Sequence, residues 1–227
     1  MKITWIGQAG LLIETDGKVI IVDPYLSDSV EKIEPLNARR VPVDRSLLEL
    51  QPDLILCTHN HLDHTDPETL VHYLTPESRR LVLAPKSSYQ NLRATYGGRH
   101  NYVLMEAGCE WTEGNVVIRA VPAVHSDPDA IGFILSAEGK NYYITGDTLY
   151  STKVLSALPD LPLHAVFLPI NGVGNNMNAV DAARFAAATK ATYAVPLHFG
   201  LFDDLTGDVF QAKNRVIPQF YQPICLP

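Results

Sequence analysis

The segment Thr58-His59-Asn60-His61-Leu62-Asp63-His64 places three histidines and one aspartate within six residues. Imidazole nitrogen and carboxylate oxygen are the protein donors that hold zinc and similar divalent ions. In an extended stretch, side chains two apart point the same way, so His59 and His61 can reach one ion. Asp63 and His64 come after a bend and can face a second position. Three more residues of ligand type follow apolar runs elsewhere. They are His125 in Pro122-Ala-Val-His-Ser126, Asp147 in Thr145-Gly-Asp-Thr148 and His198 in Pro196-Leu-His-Phe-Gly200. With the motif they complete a site that needs about four to five ligands per metal. The other histidines stand apart: His72 reads as helix surface, and His100 and His164 as turn residues before strands.

Such donors need rigid positions, and loops at the ends of buried strands supply them. The run Asp53 to Cys57 has the character of a buried strand and leads straight into the motif. Before it come Lys2 to Ile6, Leu11 to Ile13 and Val19 to Val22, with Asp16-Gly17 as a hairpin turn and Asp23-Pro24 closing the third strand. Residues 27–44 read as loop, and Asp44 can cap a short helix over Arg45 to Leu50. Asp66-Pro67 predicts a helix through about Tyr73. A strand follows at Arg80 to Ala84, then a helix from Pro85 that Gly97-Gly98 ends. Five strands fall between Tyr102 and Thr145: Tyr102–Met105, Cys109–Thr112, Val116–Val121, Ile131–Leu135 and Tyr142–Thr145. Glu138-Gly139 turns the last pair. Helices then alternate with strands: Thr152–Leu158, Ala165–Leu168, Ala179–Ala188 and Thr192–Val195. Strands followed by strand–helix units, given twice, predict two sheets with helices outside, an α/β sandwich in one domain over residues 1–227.

Hydrophobic residues are 46% of the 227 and charged residues 19%, which suits one large domain and excludes global disorder. Lys plus Arg is 18 against 25 Asp plus Glu, a formal charge of −7. An acidic surface argues against a nucleic-acid partner and leaves a small-molecule substrate. Cys57, Cys109 and Cys225 are odd in number and widely spaced, which suits a reducing compartment. No basic-then-apolar leader and no membrane-length apolar run is visible, so a cytoplasmic protein without membrane contact is expected. Oligomeric state is not legible in the sequence.

The pattern His-x-His-x-Asp-His, with Asp23 before it and His125, Asp147 and His198 after it, resembles the metallo-β-lactamase superfamily of dinuclear metallohydrolases. The resemblance runs from the first strand to His198. It implies a four-layer αββα sandwich and two divalent ions per chain, zinc or manganese foremost. By resemblance, His59, His61 and His125 hold the first ion, Asp63, His64 and His198 the second, and Asp147 bridges them. Asp23 resembles the carboxylate that steadies the histidine loop. Asp63 and Asp147 are then the catalytic carboxylates, with Asp63 orienting the nucleophile or carrying a proton to the leaving oxygen.

A narrower resemblance, in Leu168-Pro-Ile-Asn-Gly172, Asn176-Met-Asn178 and Pro196–Gly200, is to the L-ascorbate-6-phosphate lactonase branch. That branch carries Arg and Asp after the Asn-Gly, where this chain has Val173 and Gly174. Asn171 and Asn176 are candidate pocket donors. The implied reaction is attack of a metal-held hydroxide on a lactone or ester carbonyl. Two ions against Asp63, Asp147 and one hydroxide leave local positive charge, which favours an anionic substrate. A phosphodiesterase of the same superfamily is the alternative. A non-hydrolytic iron redox or sensor protein ranks below it, because His61 is present and both donor sets are complete.

Overall fold

Ile20 and Val22 lie on one side of their strand and Ile21 on the other, and all three are buried. A strand apolar on both faces must be covered on both. The computed structural model describes residues 1–226 and meets that demand with two six-stranded sheets, face to face. The first sheet runs β1 (Lys2–Gly7), β2 (Gly10–Thr15), β3 (Lys18–Val22), β4 (Leu54–Leu56), β5 (Leu81–Ala84) and β6 (Asn101–Leu104) in spatial order. The second runs β7 (Glu110–Glu113), β8 (Val116–Pro122), β9 (Ile131–Ala137), β10 (Lys140–Ile144), β11 (Leu163–Pro169) and β12 (Tyr193–Leu197). Each sheet begins antiparallel and ends parallel, the change falling at β3 and at β10.

Helices cover the outer faces, as expected. Leu70 of α1 (Pro67–Leu70) and Leu92 of α2 (Lys86–Tyr96) join Ile21, Ile55 and Val82 outside the first sheet. On the other side, α3 (Thr152–Ala157) packs on β8 and α4 (Ala179–Thr189) on β11. The inter-sheet core holds Trp5, Leu11, Val22 and Leu56 from one sheet and Ile118, Phe133 and Ile144 from the other. Among the described residues, no helix is long and apolar enough to cross a membrane.

Three local expectations change. The helix after Asp66 stops at Leu70, because His72 and Tyr73 bond back only three residues, to Thr69 and Leu70. His72 is exposed in that turn. His164 lies inside β11, since pairing of Asn141 with Leu163 starts the strand early, and its ring packs between Tyr142 and Tyr193. The helix after Asp44 is a single 3-10 segment, Arg45–Glu49. The C-terminal stretch covers the open edge of β1. Tyr221 N–H donates to Trp5 O at 2.8 Å, Ile224 N–H to Ile3 O at 2.7 Å, and Phe220 stacks on Trp5.

Parallel pairing brings the carboxyl ends of β3 and β4 together, and likewise those of β10 and β12 across β11. The residues that follow those ends therefore share one rim of the sandwich. Gly146 lets the loops close there. Its φ is +60°, and a Cβ on it would stand 2.7 Å from Thr58 Cβ. Gly146→Ala is expected to cost about 3 kcal/mol, strain plus overpacking. Gly114→Ala, at φ +61° with nothing within 4 Å, should cost only about 1 kcal/mol. Denaturant unfolding of the two variants checks the difference.

Candidate metal centre

Asp23 ends β3 fully buried. Its Oδ1 accepts the Thr58 N–H at 2.7 Å, and its Oδ2 accepts the Thr58 hydroxyl at 2.6 Å and His64 Nδ1 at 2.9 Å. A carboxylate only accepts, so His64 carries a proton on Nδ1 and turns Nε2 inward. The Thr58 hydroxyl gives its proton to Asp23 and so accepts from His59 Nδ1 at 3.0 Å, which leaves His59 Nε2 bare. His125 Nδ1 is 3.2 Å from Asn175 O, another pure acceptor, so His125 Nε2 is bare as well.

Those nitrogens converge. His61 Nδ1 is 3.0 Å from His59 Nε2 and 3.1 Å from His125 Nε2. One proton can bridge only one of these contacts, whereas a cation between the rings satisfies all three lone pairs. Asp63 Oδ2 faces His198 Nε2 at 3.3 Å and His64 Nε2 at 3.8 Å. Asp147 Oδ2 stands between the two groups, 3.3 Å from His64 Nε2, 3.3 Å from His198 Nε2 and 3.9 Å from His125 Nε2. His64 Nε2 and Asp147 Oδ1 are buried with no hydrogen-bond partner. Unpaired buried polar atoms are costly. Donor types, convergence and orphaned atoms all fit a divalent cation. Three overlapping groups have ligand atoms within 4.8 Å of one another: His59, His61 and His125; His59, His64 and Asp147; and Asp63, His64 and His198.

The seven side chains named from the sequence thus share one site. Their mutual charges are strong. Burial works to lower the His64 and His198 pKa values, but Asp147 and Asp63 outweigh it for both, with Asp23 adding at His64. His64 rises well above its usual range and His198 to about 10. Burial pushes the two carboxyls up, yet the His64 and His198 charges hold both Asp63 and Asp147 below the usual carboxylate range. Burial, then the His64 charge, drives His59 well below its ordinary value. In the metal-free protein ring protons balance the carboxylates, so a metal must displace protons and its affinity rises with pH.

Other residues hold this set in place. Asn176 donates to Asp147 Oδ2 at 2.7 Å. Ser126 Oγ is 3.4 Å from His61 Nε2, and Thr148 Oγ1 accepts the Val124 N–H at 2.9 Å, which ties the His125 loop to the Asp147 loop. Sequence reasoning missed Gln8 and Asp127. Gln8 Nε2 donates to Asp63 Oδ2 at 3.0 Å, while Gln8 O accepts the His198 N–H at 2.9 Å. Asp127 accepts the Asn60 N–H at 2.9 Å and the Ser87 hydroxyl at 2.7 Å, steadying the motif from outside. The one sequence signal for Gln8 is its place in the glycine-flanked turn Gly7–Gly10, and for Asp127 its place before Pro128.

A cleft of about 780 Å³ opens over His61, Asp63, Asp147 and His198. Residues 30–37 and 171–176 form two walls, with the sequence candidates Asn171 and Asn176 among them. A third wall, Phe202, Asp203 and Leu205, was not foreseen.

Two half-parallel sheets with an imidazole–carboxylate cluster on their shared rim define an α/β sandwich of metal-dependent type. A family model described as "Beta-lactamase superfamily domain" matches residues 2–198. A UPF0173 metal-dependent hydrolase of Ligilactobacillus salivarius is 31% identical over 92% of this chain and 90% of its own. One of Carboxydothermus hydrogenoformans is 29% identical over 96% of this chain and 93% of its own. The chain belongs to the metallo-β-lactamase superfamily, in its UPF0173 metal-dependent hydrolase family. Igni18, a metallo hydrolase of Ignicoccus hospitalis, has the same fold, with a TM-score of 0.78 at 19% identity over 98% of this chain and 97% of that one.

Asp23→Asn tests the tautomer argument. It keeps the side-chain shape and replaces one of the two oxygens that accept from Thr58 and His64 with a donor NH2. Metal affinity, measured by chelator competition, should fall about 10–100-fold with the fold intact.

Proposed function

We propose that this protein hydrolyses a lactone or ester of a small molecule at a two-metal site. The observation that carries the reading is the position of Asp147 Oδ2 between His64, His198 and His125, where one carboxylate can serve two ions. His59, His61 and His125 would hold the first ion and Asp63, His64 and His198 the second, with Asp147 shared. Nitrogen-rich sets with carboxylates suit zinc or manganese. When bound, the ions supply an acidified water and draw charge from a carbonyl oxygen.

The chain's own residues do the rest. Asp63 borders the open cleft, and its side chain is 19% exposed where that of Asp147 is 5% exposed. It can therefore take a proton from the attacking water at one oxygen and pass it to the leaving alkoxide, while Gln8 fixes the other end of its swing. Asn176 prevents Asp147 from turning away. The lactonase-like reading of the Asn171–Gly172 segment supports carbonyl rather than phosphoryl chemistry, and Val173 and Gly174 leave no guanidinium on that wall.

Metal-reconstituted protein should hydrolyse γ-butyrolactone or p-nitrophenyl acetate at least about 100-fold faster than Asp63→Ala, a loss typical of a removed acid–base group. Circular dichroism should show the variant folded. Turnover of bis-p-nitrophenyl phosphate above that of both carbonyl substrates would replace this reading with a phosphodiesterase, and full turnover by Asp63→Ala would remove Asp63 from it.

A further inference from the structure

Beyond the metal ligands, the walls of the cleft offer hydrogen-bond acceptors and apolar carbon. Among the described residues lining it, none is lysine or arginine, and the added formal charges are the carboxylates Glu34 and Asp203. The cations of the neighbouring loop point elsewhere. Lys32 pairs with Glu68 and Arg40 with Asp204, while Arg39 donates to Tyr25 O and the Tyr221 hydroxyl.

Several amide donors are committed as well. Asn37 Nδ2 donates to Glu34 Oε2 at 2.7 Å and Asn176 Nδ2 to Asp147. In the glycine-rich loop, the Gly172 and Asn176 N–H groups donate to Met177 O and Val173 O. Two acceptors on these walls have no partner. Asn171 Oδ1 and Asn176 Oδ1 are buried without a partner. For Asn176 that orientation is forced, because the Asp147 carboxylate can only accept. The mouth is apolar: Ile33 is 72% and Val173 64% exposed, and both line the cleft.

A phosphate or carboxylate placed on these walls would lose water and meet carboxylates and carbonyl oxygens in its place. We infer that the cleft selects a substrate that is uncharged or ammonium-bearing away from the scissile bond. Such a substrate offers an apolar flank to Ile33 and Val173. Glu34 and Asp203 turn away a distal anion. This proposal takes the place of the expectation of an anionic substrate. The positive charge of the ions acts on the reacting group, and the walls choose the rest. The inference rests on the reading that substrate occupies this cleft over the metal centre.

The test uses two ligand series with matched tails, ending in methyl, trimethylammonium or carboxylate: six-carbon p-nitrophenyl esters and the corresponding hydroxamates. Calorimetry on zinc-loaded protein reads hydroxamate binding without turnover, and ester kcat/KM ratios read selection during turnover. The carboxylate-tailed hydroxamate should bind about tenfold more weakly than the other two, the scale of a partly screened charge contact, and Glu34→Lys should narrow the gap to within about threefold. Equal or tighter binding of the carboxylate tail by the wild type overturns the inference, whatever the esters do. Tail-selective hydroxamate binding with no ester turnover upholds it and removes the hydrolytic reading. Absence of binding by every hydroxamate overturns both.

Discussion

Five imidazoles and two carboxylates occupy one mostly buried space, with ring nitrogens as close as 3.0 Å to each other. Bare lone pairs at that distance repel, and carboxylates away from water need positive charge beside them. The surrounding chain is arranged to hold the set against that cost. Asp23 and His198 are non-glycine residues with positive φ, at +42° and +60°, and each turns the chain sharply at a strand end. Strain of that kind persists where neighbours over-determine it. Here Thr58 and His64 fix Asp23, while Gln8 holds the His198 backbone.

Much of this was legible in the sequence, for a physical reason. Metal donors cannot be swapped for other residue types, so a dense run of them stands out wherever it falls. Strand and helix positions followed from apolar runs and from punctuation such as Asp16-Gly17, Asp66-Pro67 and Gly97, whose backbone preferences are local. Gln8 and Asp127 escaped because they act through hydrogen bonds to partners 40 or more residues away, Asp63 and Asn60 among them, which leave no periodicity. His164 escaped because its strand begins where pairing with β10 begins, a tertiary fact. The third wall of the cleft comes from a chain segment after β12 that has neither motif nor repeat.

The division of labour between sheet ends and loops also separates what holds the donors from what lines the cleft. The donors follow strands held in both sheets, so their geometry is tied to the core. The cleft walls come from residues 30–37, 171–176 and 202–205, which lie outside the sheets and the α-helices. A change there can alter the substrate without disturbing the donors, which is why fold and metal chemistry alone do not name a substrate.

The central claim is that the buried cluster exists to bind metal. Elemental mass spectrometry of untagged protein, purified without added metal, tests it most directly. The account predicts about two divalent ions per chain, the number that two donor sets sharing one carboxylate can hold, and a lower count in His59→Ala. A protein that holds no metal, even after reconstitution with zinc and manganese, would contradict it.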